Sequence, residues 1–230
     1  MIDLVPFLFK LVTFGLPIVL AITLHEAAHG FVALRCGDDT TLKAGRISFN
    51  PLRHVDPMGT VIIPGLLLIA QSPFLFGYAK PVPVNFARLR NPRKDMILVA
   101  IAGPFTNFIL AFASVCLFHT LDLMPTAWIP FWLEMLKTSL IVNVTLGIFN
   151  MLPLLPLDGG RVMMGLLPLK LARVFEKSER CGMFILIGCI IILPLIFLQF
   201  GVTFNPLAAL LGPLVHNTIE IIARMTGISP

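Results

Sequence analysis

The sequence predicts an all-α polytopic membrane protein with a small membrane-associated β element, and three observations predict it. Of 230 residues, 57% are hydrophobic and 13% charged, with a mean hydropathy of +0.92, whereas soluble domains carry about 25% charged residues. Apolar stretches recur at the ~20-residue length that crosses ~30 Å of hydrocarbon. Lys and Arg gather in some of the connecting loops and are missing from others. An ordinary water-soluble domain is excluded. The net charge of +5 is scattered along the chain, so a nucleic-acid-binding surface is excluded as well.

Leu4 to Leu34 is the first span; no small-residue cleavage site follows it, so it is expected to stay in the mature protein. Val61 to Phe76 is short and interrupted by Pro64 and Pro73, which suits a re-entrant piece rather than a crossing. Met96 to Phe118, Trp128 to Leu152 and Met183 to Phe200 follow as spans, and Phe204 to Ile222 is a fifth, carrying His216 and Glu220. Basic residues orient them. Arg35, Lys43, Arg46 and Arg53 follow the first span, Lys80 to Lys94 precede the second, and Arg161 to Arg180 separate the third and fourth. The loops His119 to Ala127 and Gly201 to Thr203 hold no Lys or Arg. The positive-inside rule then puts the N-terminus outside and the basic loops in the cytosol, with five crossings and one re-entrant piece. Gly45 to Phe49 and Tyr78 to Phe86, with Pro81 and Pro83 alternating with Val82 and Val84, read as extended edge strands at the cytosolic face. Cys36, Cys116, Cys181 and Cys189 show no metal or disulfide spacing and read as reduced thiols.

His25-Glu26-Ala27-Ala28-His29 is an HExxH motif inside an apolar helix. Ligands four apart share a helical face, so both imidazoles reach one zinc ion, and the adjacent Glu26 reaches water as a general base. With five His and five Glu in the chain, random placement yields roughly 0.002 such matches, so chance does not explain it. The bland alternative is two histidines hydrogen-bonded within a helix bundle. Ionisable groups within a span are costly and mark function, and three in five positions need a common reason that a divalent cation supplies. With Arg35 at the interface, His29 and His25 lie roughly 9 and 15 Å into the bilayer. Catalytic zinc takes three protein ligands. Acids are scarce here, and Asp158, in Asn150-Met-Leu-Pro-Leu-Leu-Pro-Leu-Asp158-Gly159-Gly160, stands where Pro153 and Pro156 break the helix and a tight glycine turn can aim a carboxylate inward. The alternative for Asp158 is a helix-end residue paired with Arg161.

The HExxH motif, Gly103-Pro104-Phe105-Thr106-Asn107 in the second span, Asn150 to Gly160, and the Asn50-Pro51-Leu52-Arg53-His54-Val55-Asp56-Pro57 stretch together resemble the site-2 protease family of intramembrane zinc metalloproteases, over Thr23 to Arg161. Length and composition give a single domain over 1–230, of which the resemblance covers the larger part. A three-helix catalytic core, about 5–162, is formed by the first, Met96 and Trp128 spans, and additional C-terminal helices occupy about 181–225. The resemblance implies His25, His29 and Asp158 as ligands of one Zn2+ per chain, Glu26 as catalytic base, Asn150 at the site and Asn107 in the packed core around it; Asn150 is expected to donate a hydrogen bond to the substrate carbonyl or to the oxyanion. The short loop His119 to Ala127 leaves no room for the PDZ domain by which larger members select substrates. The expected reaction is peptide-bond hydrolysis within transmembrane protein substrates, in a bacterial inner membrane, with the active site toward the cytosol. Extended segments near Tyr78 to Phe86 are expected to hold the unwound substrate by edge pairing. The rival readings are a divalent-metal transporter, for which the chain lacks an internal repeat, and a catalytically silent helix-binding homologue. His54 and Asp56 read equally as turn residues or as a substrate gate, and His216 and Glu220 as an internally bonded pair or an interhelical contact.

Overall fold

The computed structural model describes residues 4–48, 50–53, 56–62 and 80–227. Helices α1 (Leu4–Arg35), α2 (Thr40–Lys43), α3 (Pro92–Phe118), α4 (Ile129–Asn150), α5 (Asp158–Leu166), α6 (Leu169–Lys177), α7 (Glu179–Ile187), α8 (Leu193–Gln199) and α9 (Pro206–Met225) follow in chain order. A wide helical turn, Gly188–Ile192, joins α7 to α8. By length and composition five stretches suit membrane crossing: Leu8–Arg35, Pro92–Phe118, Ile129–Asn150, Glu179–Gln199 and Pro206–Met225. The chain is thus an all-helical, multi-pass membrane protein.

The core is the packing of α1, α3 and α4. Without a hydrophobic drive between helices in lipid, small residues and interhelical hydrogen bonds do this work. Ala21, Ala33, Ala100 and Ala111 are fully or almost fully buried at these contacts. A Cβ at Gly147 of α4 would meet Phe108 Cζ of α3 at 2.9 Å. Asn107 of α3 donates its Nδ2 to Ala21 carbonyl of α1 at 3.3 Å and to Asn143 Oδ1 of α4 at 2.9 Å, tying the three helices at one level. Ser114 of α3 meets Ser139 of α4, hydroxyl to hydroxyl, at 2.8 Å. Past α4, residues 151–157 turn back so that α5 lies along the start of α3, where Arg93 donates to Gly165 carbonyl at 3.1 Å. Helix α7 begins against this turn, Gly182 lying so near Leu155 that a Cβ would sit 1.9 Å from its carbonyl oxygen.

Two expectations change. No β-strand forms among the described residues; residues 45–48 and 80–85 are irregular, while 49, His54, nearly all of the expected re-entrant piece and Tyr78 lie outside them. The reason lies in where the backbone bonds go. Pro81 and Pro83 have no N–H to donate. Val82 N–H goes to the Glu26 carboxylate (2.8 Å), Asn85 N–H to Asp38 (2.7 Å), and Pro83 carbonyl accepts from the Thr41 hydroxyl (2.8 Å). Side chains of α1 and of the turn after it take the place of a neighbouring strand. Helix α9 also departs from strict alternation, which would run it opposite to α3. Ile222 shares a buried cluster with Ala111 and Val115 of α3 and with Leu140 and Val144 of α4, and Thr226 carbonyl meets His119 Nε2 at the far end of α3 (2.9 Å), so α9 runs parallel to α3.

Candidate metal centre

The centre is assembled by three helices. On α1, His25 and His29 project from one face with ring centroids 4.6 Å apart. Gly103 of α3 lies opposite, where a Cβ would come within 2.5 Å of His29 Nε2 and 2.6 Å of His25 Nε2. Any side chain there would fill the space in which the two rings meet, which is why the second span carries glycine at that turn. Asp158 opens α5, directly after the turn that ends the third span. Its two neighbouring glycines are helical rather than left-handed. They are small because a Cβ at Gly159 would meet Met151 carbonyl at 2.3 Å, and one at Gly160 would meet Leu155 N at 2.6 Å. Close approach, not an unusual turn, fixes these residues and thereby the aim of Asp158.

Hydrogen bonds fix the histidine tautomers. His25 Nδ1 lies 2.6 Å from Asn107 Oδ1, and His29 Nδ1 lies 2.7 Å from Val99 carbonyl. A carbonyl only accepts, so His29 carries its proton on Nδ1. Asn107 is oriented by its own donors, since its Nδ2 reaches Ala21 carbonyl and Asn143 Oδ1, while Asn143 Nδ2 donates to Ser139 carbonyl at 2.9 Å. Asn107 Oδ1 therefore faces His25 as an acceptor, and His25 too is protonated on Nδ1. Both Nε2 lone pairs then point into one space, 3.0 Å apart. Asp158 completes it, Oδ2 being 3.2 Å from His25 Nε2 and Oδ1 3.4 Å from His29 Nε2. The buried Asp158 Oδ2 makes no hydrogen bond.

This arrangement fits a metal. Two imidazole lone pairs and a carboxylate, all within 4.8 Å of one another, contain no proton donor among themselves once the tautomers are set. A shared cation satisfies all three, and two His plus one carboxylate suit zinc. The Nδ1 partners are the outer support that orients metal-binding histidines in such sites. Arg161 does not pair with Asp158; it reaches Glu179 at 3.3 Å and stands over the Phe86 ring at 5.4 Å.

A cavity of about 330 Å³ opens onto the centre, and His25, Glu26, His29, Asn150 and Asp158 all line it. These are the five residues singled out from the sequence. The opposite wall is the extended stretch through Pro81, Val82, Val84 and Phe86. Asn107, which the resemblance puts in the surrounding core, bonds a candidate ligand directly; its position one turn beyond Gly103 on the α1-facing side of α3 is the signal for this. Val82 carries no side-chain chemistry and left no signal. His216 bonds Glu220 internally at 3.1 Å, far along α9 and outside the cavity. Asp56 accepts from Gly59 N–H at 2.8 Å, within a local turn. All four cysteines are free thiols.

The profile of peptidase family M50 matches residues 13–127 and 122–194. The chain is 38% identical over 182 residues to the Bacillus subtilis (strain 168) protein named "Putative zinc metalloprotease YwhC", covering 77% of this chain and 79% of that one. It is 26% identical over 177 residues to "Putative zinc metalloprotease Rip2" of Mycolicibacterium smegmatis, covering 75% of this chain and 64% of the relative. It is 24% identical over 150 residues to "Zinc metalloprotease MJ0392" of Methanocaldococcus jannaschii, covering 65% and 33%. No solved structure matches.

Proposed function

This chain belongs to peptidase family M50, and we propose that it is a zinc metalloprotease that hydrolyses peptide bonds within or near the transmembrane segments of other membrane proteins. One observation carries the reading: two proton-free Nε2 atoms and Asp158 converge beside Glu26 in a cavity walled by helices apolar enough to span a bilayer. His25, His29 and Asp158 hold one zinc per chain. When bound, zinc supplies a Lewis acid that polarises the scissile carbonyl and makes water acidic enough to ionise near neutral pH. Glu26 takes the proton from the attacking water and returns it to the leaving amine. Asn150, on the cavity wall, spends one side-chain N–H on Leu146 carbonyl at 3.1 Å and donates the other to the substrate carbonyl or the oxyanion.

A helical substrate hides its amides and must unwind to be cut. Val84 lines the cavity, and its N–H has no partner among the described residues, which supports pairing of the unwound substrate along the 81–86 stretch. The basic loops beside the site support an active site that faces the cytosol, and the membrane we propose is a bacterial inner membrane. The test is cleavage of a purified single-span protein with helix-breaking residues in mid-span, the cut mapped by mass spectrometry. Wild type cuts inside the span, and Glu26→Gln does not. Equal cutting by both removes Glu26 as the base. Metal flux through liposomes without any cutting favours transport instead.

A further inference from the structure

We propose that the backbone N–H of Val82 is a positioning group for Glu26, holding one carboxylate oxygen so that the other is presented to water. This rests on the reading of Glu26 as the base. Glu26 Oε2 accepts from Val82 N–H at 2.8 Å, and no other hydrogen bond to this carboxylate is present among the described residues. Glu26 extends from α1 on a side chain with three rotatable bonds, one residue from His25, and without a tether it samples several rotamers. A fixed donor 56 residues away removes that freedom.

The donor is itself held from both sides. Val82 is nearly buried, and a Cβ at Gly30 of α1 would lie 3.3 Å from its Cγ1, so the stretch seats directly on the helix carrying the motif. Successive residues of an extended chain turn their polar groups to opposite sides. Val82 N–H faces Glu26, while Pro83 carbonyl and Asn85 N–H face the other way, to Thr41 and Asp38. Phe86, at the end of the stretch, lies under Arg161. The flanking prolines make Val82 the sole amide donor of Pro81-Val82-Pro83, and they hold it extended without a strand partner. The alternation of valine and proline thus serves a contact to the base, and the next outward-facing amide, that of Val84, is left for a substrate.

Val82→Pro removes this N–H and keeps the extended conformation; Val82→Ala keeps the N–H and loses only methyl groups. Hydrogen bonds to charged groups are strong enough that Val82→Pro should lower kcat on the order of tenfold to hundredfold, with KM and zinc content within about twofold of Val82→Ala. Equal kcat in the two variants, with Glu26→Gln inactive, overturns the proposal, as does a faster Val82→Pro, which would make the contact a restraint. An active Glu26→Gln overturns the base assignment instead. Should Val82→Pro not fold, residue-resolved amide exchange on Glu26→Ala decides. The Val82 amide should exchange at least tenfold faster than in wild type, while the Asn85 amide, bound to Asp38, keeps its protection. Unchanged Val82 protection contradicts the contact.

Discussion

Polar groups inside the α1–α3–α4 core and polar groups on α9 live under opposite rules. In the core, Asn107 and Asn143 are 0% and 1% exposed, and their amide groups are used by a chain of bonds that begins at His25 Nδ1 and ends at Ser139. On α9, His216, Glu220 and Arg224 form a stripe of neighbours four apart, bonded among the described residues only to one another, with the His216 side chain 72% exposed. Apolar side chains of α9 such as Leu210, Leu214 and Ile221 are exposed too, as suits a helix facing lipid. The core therefore spends buried polarity on orienting two imidazoles, whereas α9 merely neutralises its charges locally. The proposed chemistry uses the first region, and substitutions should separate the two.

Glycine gives the largest contrast. Gly103→Ala would drive a methyl group into His25 and His29, whereas a Cβ at Gly212 of α9 meets nothing within 4 Å. Gly103→Ala should lose more than half of its bound zinc and cleave at least a hundredfold more slowly, a loss of about 3 kcal/mol of transition-state stabilisation. Gly212→Ala should match wild type in both zinc analysis and cleavage rate. Retained zinc in Gly103→Ala would break the contrast.

Asn107→Leu comes next. It removes the acceptor that sets the His25 tautomer and leaves Asn143 Oδ1 without its donor, so zinc affinity should fall on the order of 10- to 100-fold. Titration against a competing chelator measures this, and an unaltered affinity would reduce the polar chain to helix packing.

A smaller effect is expected at the junction between core and extended wall. Burial pushes the Asp38 carboxyl upward, but bonds from the Thr40 hydroxyl, Asn85 N–H and Thr40 N–H, with the nearby Arg88 charge, outweigh it and hold the group below the usual carboxylate range. A depressed folded value stabilises the protein above the unfolded carboxylate pKa of about 4, and that stabilisation is lost as pH falls through the folded value. Asp38→Asn should lower Tm at pH 7 and flatten its acid dependence; thermal unfolding in detergent between pH 3 and 7 checks both.

The smallest effect belongs to the stripe itself. His216→Gln with Glu220→Gln removes exposed pairs worth at most about 1 kcal/mol, so Tm and cleavage should stay near wild type. A large loss would mean that this face of α9 has a function of its own.

Much of this division was legible in the sequence. Spans follow from length and apolarity, and His25, Glu26, His29 and Asp158 follow from the rarity of ionisable groups in such surroundings. Asn150 was legible only through resemblance. Less was readable where the interaction is with backbone or depends on close approach. Gly103 stands in a motif, but its reason is the volume of two rings on another helix. The Pro-Val alternation at 81–84 has the period of an edge strand, yet the partners are the side chains of Glu26, Thr41 and Asp38, distant in sequence. The direction of α9 escaped because apolar composition permits a helix to run either way, and the contact of Thr226, just past its C-terminus, with His119 at the far end of α3 decides it.

In the proposed centre His25, His29 and Asp158 hold a zinc that Glu26 serves without ligating. Its most direct measurement is the metal content of purified wild type, Glu26→Gln and Asp158→Ala. Wild type and Glu26→Gln should each carry one zinc per chain, and Asp158→Ala should lose it. Full zinc in all three would contradict it by removing Asp158 from the ligand set.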